Sequence, residues 1–191
     1  QSQEMDFDFY PVGTSTELEH DYQNTVSDQL NKSAKLNLDF SQSISDSALF
    51  ESGYSYFHED LLNDFNSSSY DYQSNSWLPD TALANRFRFL QNIHAVYLNY
   101  VKQLKTIGLQ VGLRGEYTTA DRFIKPKESY FDLFPSIMLS KKLDKYFSIS
   151  VYYNRRINRP ILKMINPYTN EYADILNIHI GNPDLKPEYV N

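Results

Sequence analysis

From Ile107 to Tyr117 the chain alternates without a break. Ile107, Leu109, Val111, Leu113, Gly115 and Tyr117 fall on one side, and Gly108, Gln110, Gly112, Arg114 and Glu116 fall on the other. A two-residue side-chain period belongs to the β-strand, so this pattern demands a strand with one dry and one wet face. The same period recurs. Ala34, Leu36, Leu38 and Phe40 oppose Lys35, Asn37, Asp39 and Ser41, and from Tyr146 to Arg156, Phe147, Ile149, Val151 and Tyr153 oppose Ser148, Ser150, Tyr152, Asn154 and Arg156. Ile137 and Leu139 oppose Ser136, Met138 and Ser140. Mixed versions run over 49–58 and 87–101, where Val96, Leu98 and Tyr100 share a face with His94. Met5 to Tyr10 reads as the end of an earlier strand. No segment carries a capped stripe of helical period, and the competing helix over 83–104 is flanked by strand-like sequence on both sides.

The connections constrain the topology further. Strands near 34–44, 47–58, 86–102, 105–119, 132–142 and 146–157 are joined by short links around Asp46, Gln103 and Asp144, and by long links over 59–85, 120–131 and 158–187. Short and long links alternate strictly. In an up-and-down meander the short links then share one end and the long links the other, which is the form of a transmembrane β-barrel. Aromatic residues sit near the strand ends: Tyr54, Tyr56, Phe57, Tyr117, Tyr130, Phe131, Tyr146 and Phe147. Such residues form girdles at the two interfaces of a barrel in a bilayer. A soluble β domain is also rich in Tyr and Phe. Alternation alone leaves open whether the dry face meets a core or lipid.

Composition excludes other classes. With 16 Tyr, 12 Phe and 41% apolar residues, this is no disordered chain. No apolar run is long enough for a membrane helix. There is no Cys, hence no disulfide and no thiolate metal site. The net charge of −6 argues against a dedicated nucleic-acid binder. The chain starts at Gln1 and closes on KPEYVN, which reads as the entry to a further segment, so we expect a piece of a longer chain.

The sequence carries no recognisable catalytic pattern. His20, His58, His94 and His179 have no metal-like spacing. His58-Glu59-Asp60 could hold a cation, but a solvated strand end is the plainer reading. Residues 63–75 hold oxygen ligands but lack the glycine of a calcium loop. Gly108, Gly112 and Gly115 lie inside a strand and mark curvature or close packing, not a dinucleotide fingerprint. No nucleophile motif is present, so we expect no enzyme, no cofactor, no metal and no catalytic residue. The triplets at Asn31 and Asn66 match a glycosylation pattern at a frequency that chance explains. Arg155, Arg156 and Arg159 form one dense basic cluster, read as polar-face arginines pairing with acids such as Glu116 rather than as an anion site. Trp77 and the tyrosines of 59–85 either stack on a sugar or another planar ligand, or pack the long loop on itself.

Four stretches together resemble a known family: QVGLRGEYT over 110–118, YFDLFPSIMLS over 130–140, YYNRRINRP over 152–160, and INPY from Ile165 followed by GNPDLKPE from Gly181. Their ordered series is similar to the barrel domain of TonB-dependent outer-membrane receptors, in the outer membrane protein beta-barrel family branch. The resemblance covers roughly 20–191 and is strongest from Asn85 onward. It implies a barrel of about 22 strands, an upstream plug domain, TonB as energy-coupling partner, and uptake of an unidentified nutrient across the bacterial outer membrane. It also implies that Ile107 to Tyr117 and Phe147 to Tyr153 face lipid, while Arg114, Glu116, Asn154 and Arg156 face the lumen. The family's motifs here are wall and loop features, so no ligand-binding residue is carried over.

The expectation is therefore an all-β antiparallel up-and-down meander of roughly six or seven strands, a partial transmembrane β-barrel. It would supply barrel wall and extracellular loops of a nutrient receptor. The alternative is a soluble or surface-exposed β-sheet module that binds a glycan or protein. An isolated arc has open edges and a bare apolar face, so it should curl over that face, self-associate through its edges, or both.

Overall fold

The structure, a computed structural model, describes residues 2–8, 20–81, 84–122, 125–167 and 180–191. Its strands are β1 (Ser2–Asp8), β2 (His20–Ser45), β3 (Ala48–Asp71), β4 (Ser76–Pro79), β5 (Asn85–Gln103), β6 (Ile107–Arg122), β7 (Lys125–Lys142), β8 (Ser148–Asn154), β9 (Arg156–Asn158) and β10 (Glu188–Val190). One helical turn, α1 (Leu162–Ile165), is the only helix among the described residues. The main sheet runs β1-β2-β3-β5-β6-β7-β8, with β4 paired to β3, and β9 pairs with β10 apart from it. Neighbours in the sheet are neighbours in sequence apart from the branch at β4, so the fold is a nearly all-β antiparallel meander, as expected. Of the early strand expected over 5–10, residues 5–8 belong to β1, while Phe9 and Tyr10 lie outside the described residues.

The strands are longer than the sequence reading allows. The span 59–85 was expected to be a long loop. Instead β3 continues to Asp71, turns over 72–75, and returns as β4. The span 120–131 was also expected to be a loop, yet β6 reaches Arg122 and β7 begins at Lys125. Both are hairpins extended by continued backbone pairing. Part of 158–187 lies outside the described residues.

The chain divides into two compact units. One comprises 32–60, 89–161 and 185–191. Here β5, β6, β7 and β8 pair in continuous register, as in Ala95↔Glu116, Glu116↔Asp132 and Ser136↔Asn154, apart from one shift between Ala120 and Arg122 of β6 against β7. The short turns sit side by side. The Gln103 amide donates to the Ser47 carbonyl at 2.7 Å, and the Lys142 amide donates to the Thr106 carbonyl at 2.8 Å. Asp144 shapes the last turn by accepting from the amides of Tyr146 (2.7 Å) and Phe147 (3.0 Å).

The two faces of this unit differ in burial. Leu36, Leu38, Phe40, Val96, Leu98, Val111, Leu113, Leu133, Ile137, Leu139, Ile149 and Val151 are exposed. Glu116, Thr118, Ala120 and Arg122, on the opposite parity of β6, are buried, as are Asp132 and Phe134 of β7. It is the polar face that is sheltered, and the aliphatic face that stays open. The ten residue steps from Ile107 to Tyr117, at ~3.4 Å each and a tilt of ~40°, climb about 26 Å, which matches the height of ~25 Å for the lipid-facing band of a barrel.

The other unit comprises 1–31, 61–88 and 162–184. The second half of β3 keeps a two-residue rhythm of burial, with Leu61, Asn63, Phe65 and Ser67 buried. Gln23 Nε2 donates to Ser67 Oγ at 2.9 Å, and Ser27 Oγ donates to Asn63 Oδ1 at 3.2 Å, both on that sheltered side. Ile165 and Asn166 are fully buried after the helical turn, and the backbone amides of Gly181 and Asn182 bond back to Asn166 and Met164.

Candidate functional site

The sheltered face of β3, β5, β6 and β7 carries a charged network in which each member has a structural cause. Period-2 alternation puts Arg114, Glu116 and Thr118 on one side of β6, and antiparallel register sets Asp132 of β7 opposite Glu116. Two carboxylates directly opposite each other repel, so each needs compensation. Arg114 Nε donates to Glu116 Oε1 at 2.6 Å, and Arg159 Nη2 donates to Glu116 Oε2 at 2.6 Å. Glu116, only 7% exposed, is thus held between two guanidinium groups. Arg159 also donates to Thr118 Oγ1 (3.0 Å) and through Nε to the Tyr130 hydroxyl (3.4 Å). Arg114 reaches Ser55 of β3 at 3.3 Å. Asp132 accepts the Tyr189 hydroxyl at 2.8 Å, and the Arg155 guanidinium lies 4.5 Å from the centre of the Tyr189 ring.

These bonds lay the segment after β8 against the sheltered face. Arg159 grips Glu116, Tyr189 grips Asp132, and Arg122 donates to the Leu185 carbonyl at 3.4 Å. The expected pairing of the arginine cluster with Glu116 is present, but through Arg159. Arg156 does not join the network: it lies exposed in β9, paired with Val190. The chain breaks its strand at Arg155, whose amide donates to the Pro135 carbonyl, and the parity of β8 does not carry past that point. Asn154 keeps its expected side, opposite Ser136.

Glycine makes a second polar link possible. The Tyr97 ring crosses β3 at Gly53, and its hydroxyl donates to Asp39 Oδ1 of β2 at 2.6 Å. A Cβ at Gly53 would stand 2.5 Å from a ring carbon and 2.7 Å from the Leu38 carbonyl oxygen, so only glycine leaves room. Gly108 and Gly112 face Ser140 and Ser136, which supports close packing at these positions.

The open face changes character along its length. Past the aliphatic band the Tyr54 hydroxyl and His94 Nδ1 share a hydrogen bond of 2.8 Å, and the rings of Tyr56 and His94 lie 4.8 Å apart. Asn92 Oδ1 accepts from Tyr56 at 2.9 Å and lies 2.8 Å from His58 Nδ1. Tyr117 and Phe131 share this face, and Tyr146 and Phe147 are exposed near the short turns. Amphipathic rings at both ends of an aliphatic band have the distribution of interface girdles. Tyr130 departs from that expectation, because it belongs to the sheltered network through Arg159.

No group of three or more His, Asp or Glu residues that could hold a metal occurs among the described residues. His179 lies outside them, and His58 is engaged with Asn92. No helix among the described residues is long and apolar enough to cross a membrane, which says nothing about crossing by strands. Trp77 sits on β4 directly opposite Tyr70, and the turn between them is held by Asp71.

The comparisons agree with this geometry. A search of the curated proteins returns no match. The model of the outer membrane protein beta-barrel family matches residues 1–191. An aliphatic band of bilayer height backed by a polar face is what a barrel wall requires, since each strand there has lipid on one side and the lumen on the other. The chain belongs to the outer membrane protein beta-barrel family, and its place is the bacterial outer membrane.

Proposed function

We propose that this chain forms barrel wall and extracellular loops of a TonB-dependent receptor that takes up a scarce nutrient. The observation that carries the reading is the sheltered network of Arg114, Glu116 and Arg159, a dense polar lining on the side away from the aliphatic band. The four motifs of the resemblance support it, and so does membership of an outer-membrane barrel family. In this role the strands satisfy their own backbone groups across the sheet, because lipid offers no partner. The polar face lines the route and meets an upstream plug, while the long hairpins meet the ligand first. The role is non-catalytic, with nutrient, plug and TonB as partners.

The test is uptake by cells that carry or lack the protein, across a panel of labelled nutrients, with and without an inner-membrane proton gradient. The reading expects at least one nutrient whose uptake needs both the protein and the gradient. Uptake that survives collapse of the gradient would make the protein a passive pore and refute the receptor reading.

A further inference from the structure

We infer that the exposed face of the β3–β4 hairpin is a binding site for a neutral saccharide. Four rings gather there. Tyr70 and Trp77 meet edge to face at 5.4 Å, Tyr70 and Tyr72 at 5.1 Å, and Tyr22 of β2 lies 6.3 Å from Tyr72. The opposite parity of this stretch of β3, from Leu61 to Ser67, is the buried one, so the rings are not the core of the hairpin. Tyr72 is 55% exposed and Trp77 41% exposed.

The hairpin is built to hold these rings still. Asp71 accepts from the amides of Gln73 (3.0 Å) and Ser74 (3.2 Å) and from the Ser74 hydroxyl (2.6 Å). Asn75 takes a left-handed backbone, φ 50°, and its Oδ1 accepts the Tyr70 hydroxyl at 2.6 Å. A preformed platform loses little freedom on binding, which favours a weakly interacting ligand.

Charge and composition select the ligand class. Residues 61–81 contain Asp64, Asp71 and Asp80 and no Lys or Arg. Asp64 is paired with Arg86 of β5 at 3.8 Å, so the carboxylate beside the rings is Asp71, and a phosphorylated or carboxylated ligand would meet that negative charge rather than a cation. The rings are interleaved with Gln73, Ser74, Asn75 and Ser76 rather than with aliphatic anchors. Flat apolar faces beside amide and hydroxyl groups suit a sugar, which offers apolar C–H faces and a rim of hydroxyls. A dry protein interface would instead favour aliphatic contacts.

The inference does not depend on whether the sugar is transported. The purified protein in detergent is screened against an array of neutral oligosaccharides. Hits are titrated by calorimetry, with the fluorescence of Trp77, the one Trp of the 191 residues, as a local reporter. The proposal expects at least one neutral oligosaccharide to bind and to change that fluorescence, with affinity falling about tenfold in Trp77→Ala and less in Trp77→Phe. Unchanged heat-dependent gel mobility of the variants shows that the barrel is intact. Binding to no neutral oligosaccharide, binding only to acidic ones, or equal binding by Trp77→Ala and Tyr72→Ala would each overturn the proposal. Energised uptake could fail while binding persists, so the two readings fall separately.

Discussion

Placing an arginine on the open face of β6 separates lipid from water as its solvent. Leu113 lies on that face, 46% exposed and paired across the sheet with Pro135 and Leu98. It is six steps from Ile107 and four from Tyr117, close to the middle of a band about 26 Å tall. If water bathes this face, Leu113→Arg alters a half-exposed surface position and changes stability by no more than about 0.5 kcal/mol. If lipid bathes it, the guanidinium is near the midplane and the cost is about 2–4 kcal/mol. That is a fall of roughly thirty- to several-hundredfold in the folding constant. Tyr117→Arg, at the interface, should cost only about 0–1 kcal/mol. Gln110→Arg, on the sheltered polar face, serves as a control for inserting the same side chain. The assay is equilibrium unfolding by urea from lipid vesicles. A ranking of Leu113 well above Tyr117 and Gln110 is expected. Equal, small effects at all three positions would refute the assignment of this face to lipid.

Other consequences follow from the same contacts. Gly53→Ala pushes a Cβ into the Tyr97 ring and the Leu38 carbonyl, and should cost about 1–3 kcal/mol; a double-mutant cycle with Tyr97→Ala should recover part of this, whereas strict additivity would show that the ring is not the obstacle. Glu116→Gln removes the charge between Arg114 and Arg159; because Arg114 is partly exposed, the expected loss in the vesicle assay is about 2–3 kcal/mol, below that of a fully buried pair. At the hairpin tip the Ser74 hydroxyl, then the Gln73 amide, hold the Asp71 carboxyl below its usual range. A lowered folded value means that the carboxylate supports the turn in full above the ordinary aspartate range and loses this support as pH falls through the lowered value. The protection of the Gln73 and Ser74 amides, relative to their intrinsic exchange rates, should therefore fall only in strong acid, and in Asp71→Ala, which has no side-chain acceptor, it should be low at every pH.

The sequence makes the membrane-crossing part of the fold legible because lipid forces a strict alternation there. Ile107 to Tyr117 and Ile149 to Tyr153 read correctly for this reason, and the tight turns at Asp46 and Asp144 follow from their residue types. The signal fades where a strand leaves the bilayer. Between Leu61 and Asp71 the exposed side of β3 meets water, so it carries Asp64 and Asn66, while the buried side mixes Leu61 and Phe65 with Asn63 and Ser67. The period persists in the backbone and in burial, but hydropathy no longer reports it, and a hairpin reads as a loop. Among Arg155, Arg156 and Arg159, sequence cannot say which meets Glu116, because that depends on the break in strand parity at Arg155. The Tyr97–Asp39 link was invisible for a related reason: it spans 58 positions and depends on a missing side chain at Gly53.

The most direct test uses the absence of Cys from these 191 residues. Single cysteines placed at successive positions from Ile107 to Tyr117 are exposed, in the protein folded in vesicles, to a charged thiol reagent that cannot enter lipid. The account expects labelling of period two, with Gln110, Gly112 and Arg114 on the polar face reactive and with Leu109, Val111 and Leu113 protected. Rapid labelling of Leu109, Val111 and Leu113 in the folded protein would contradict it.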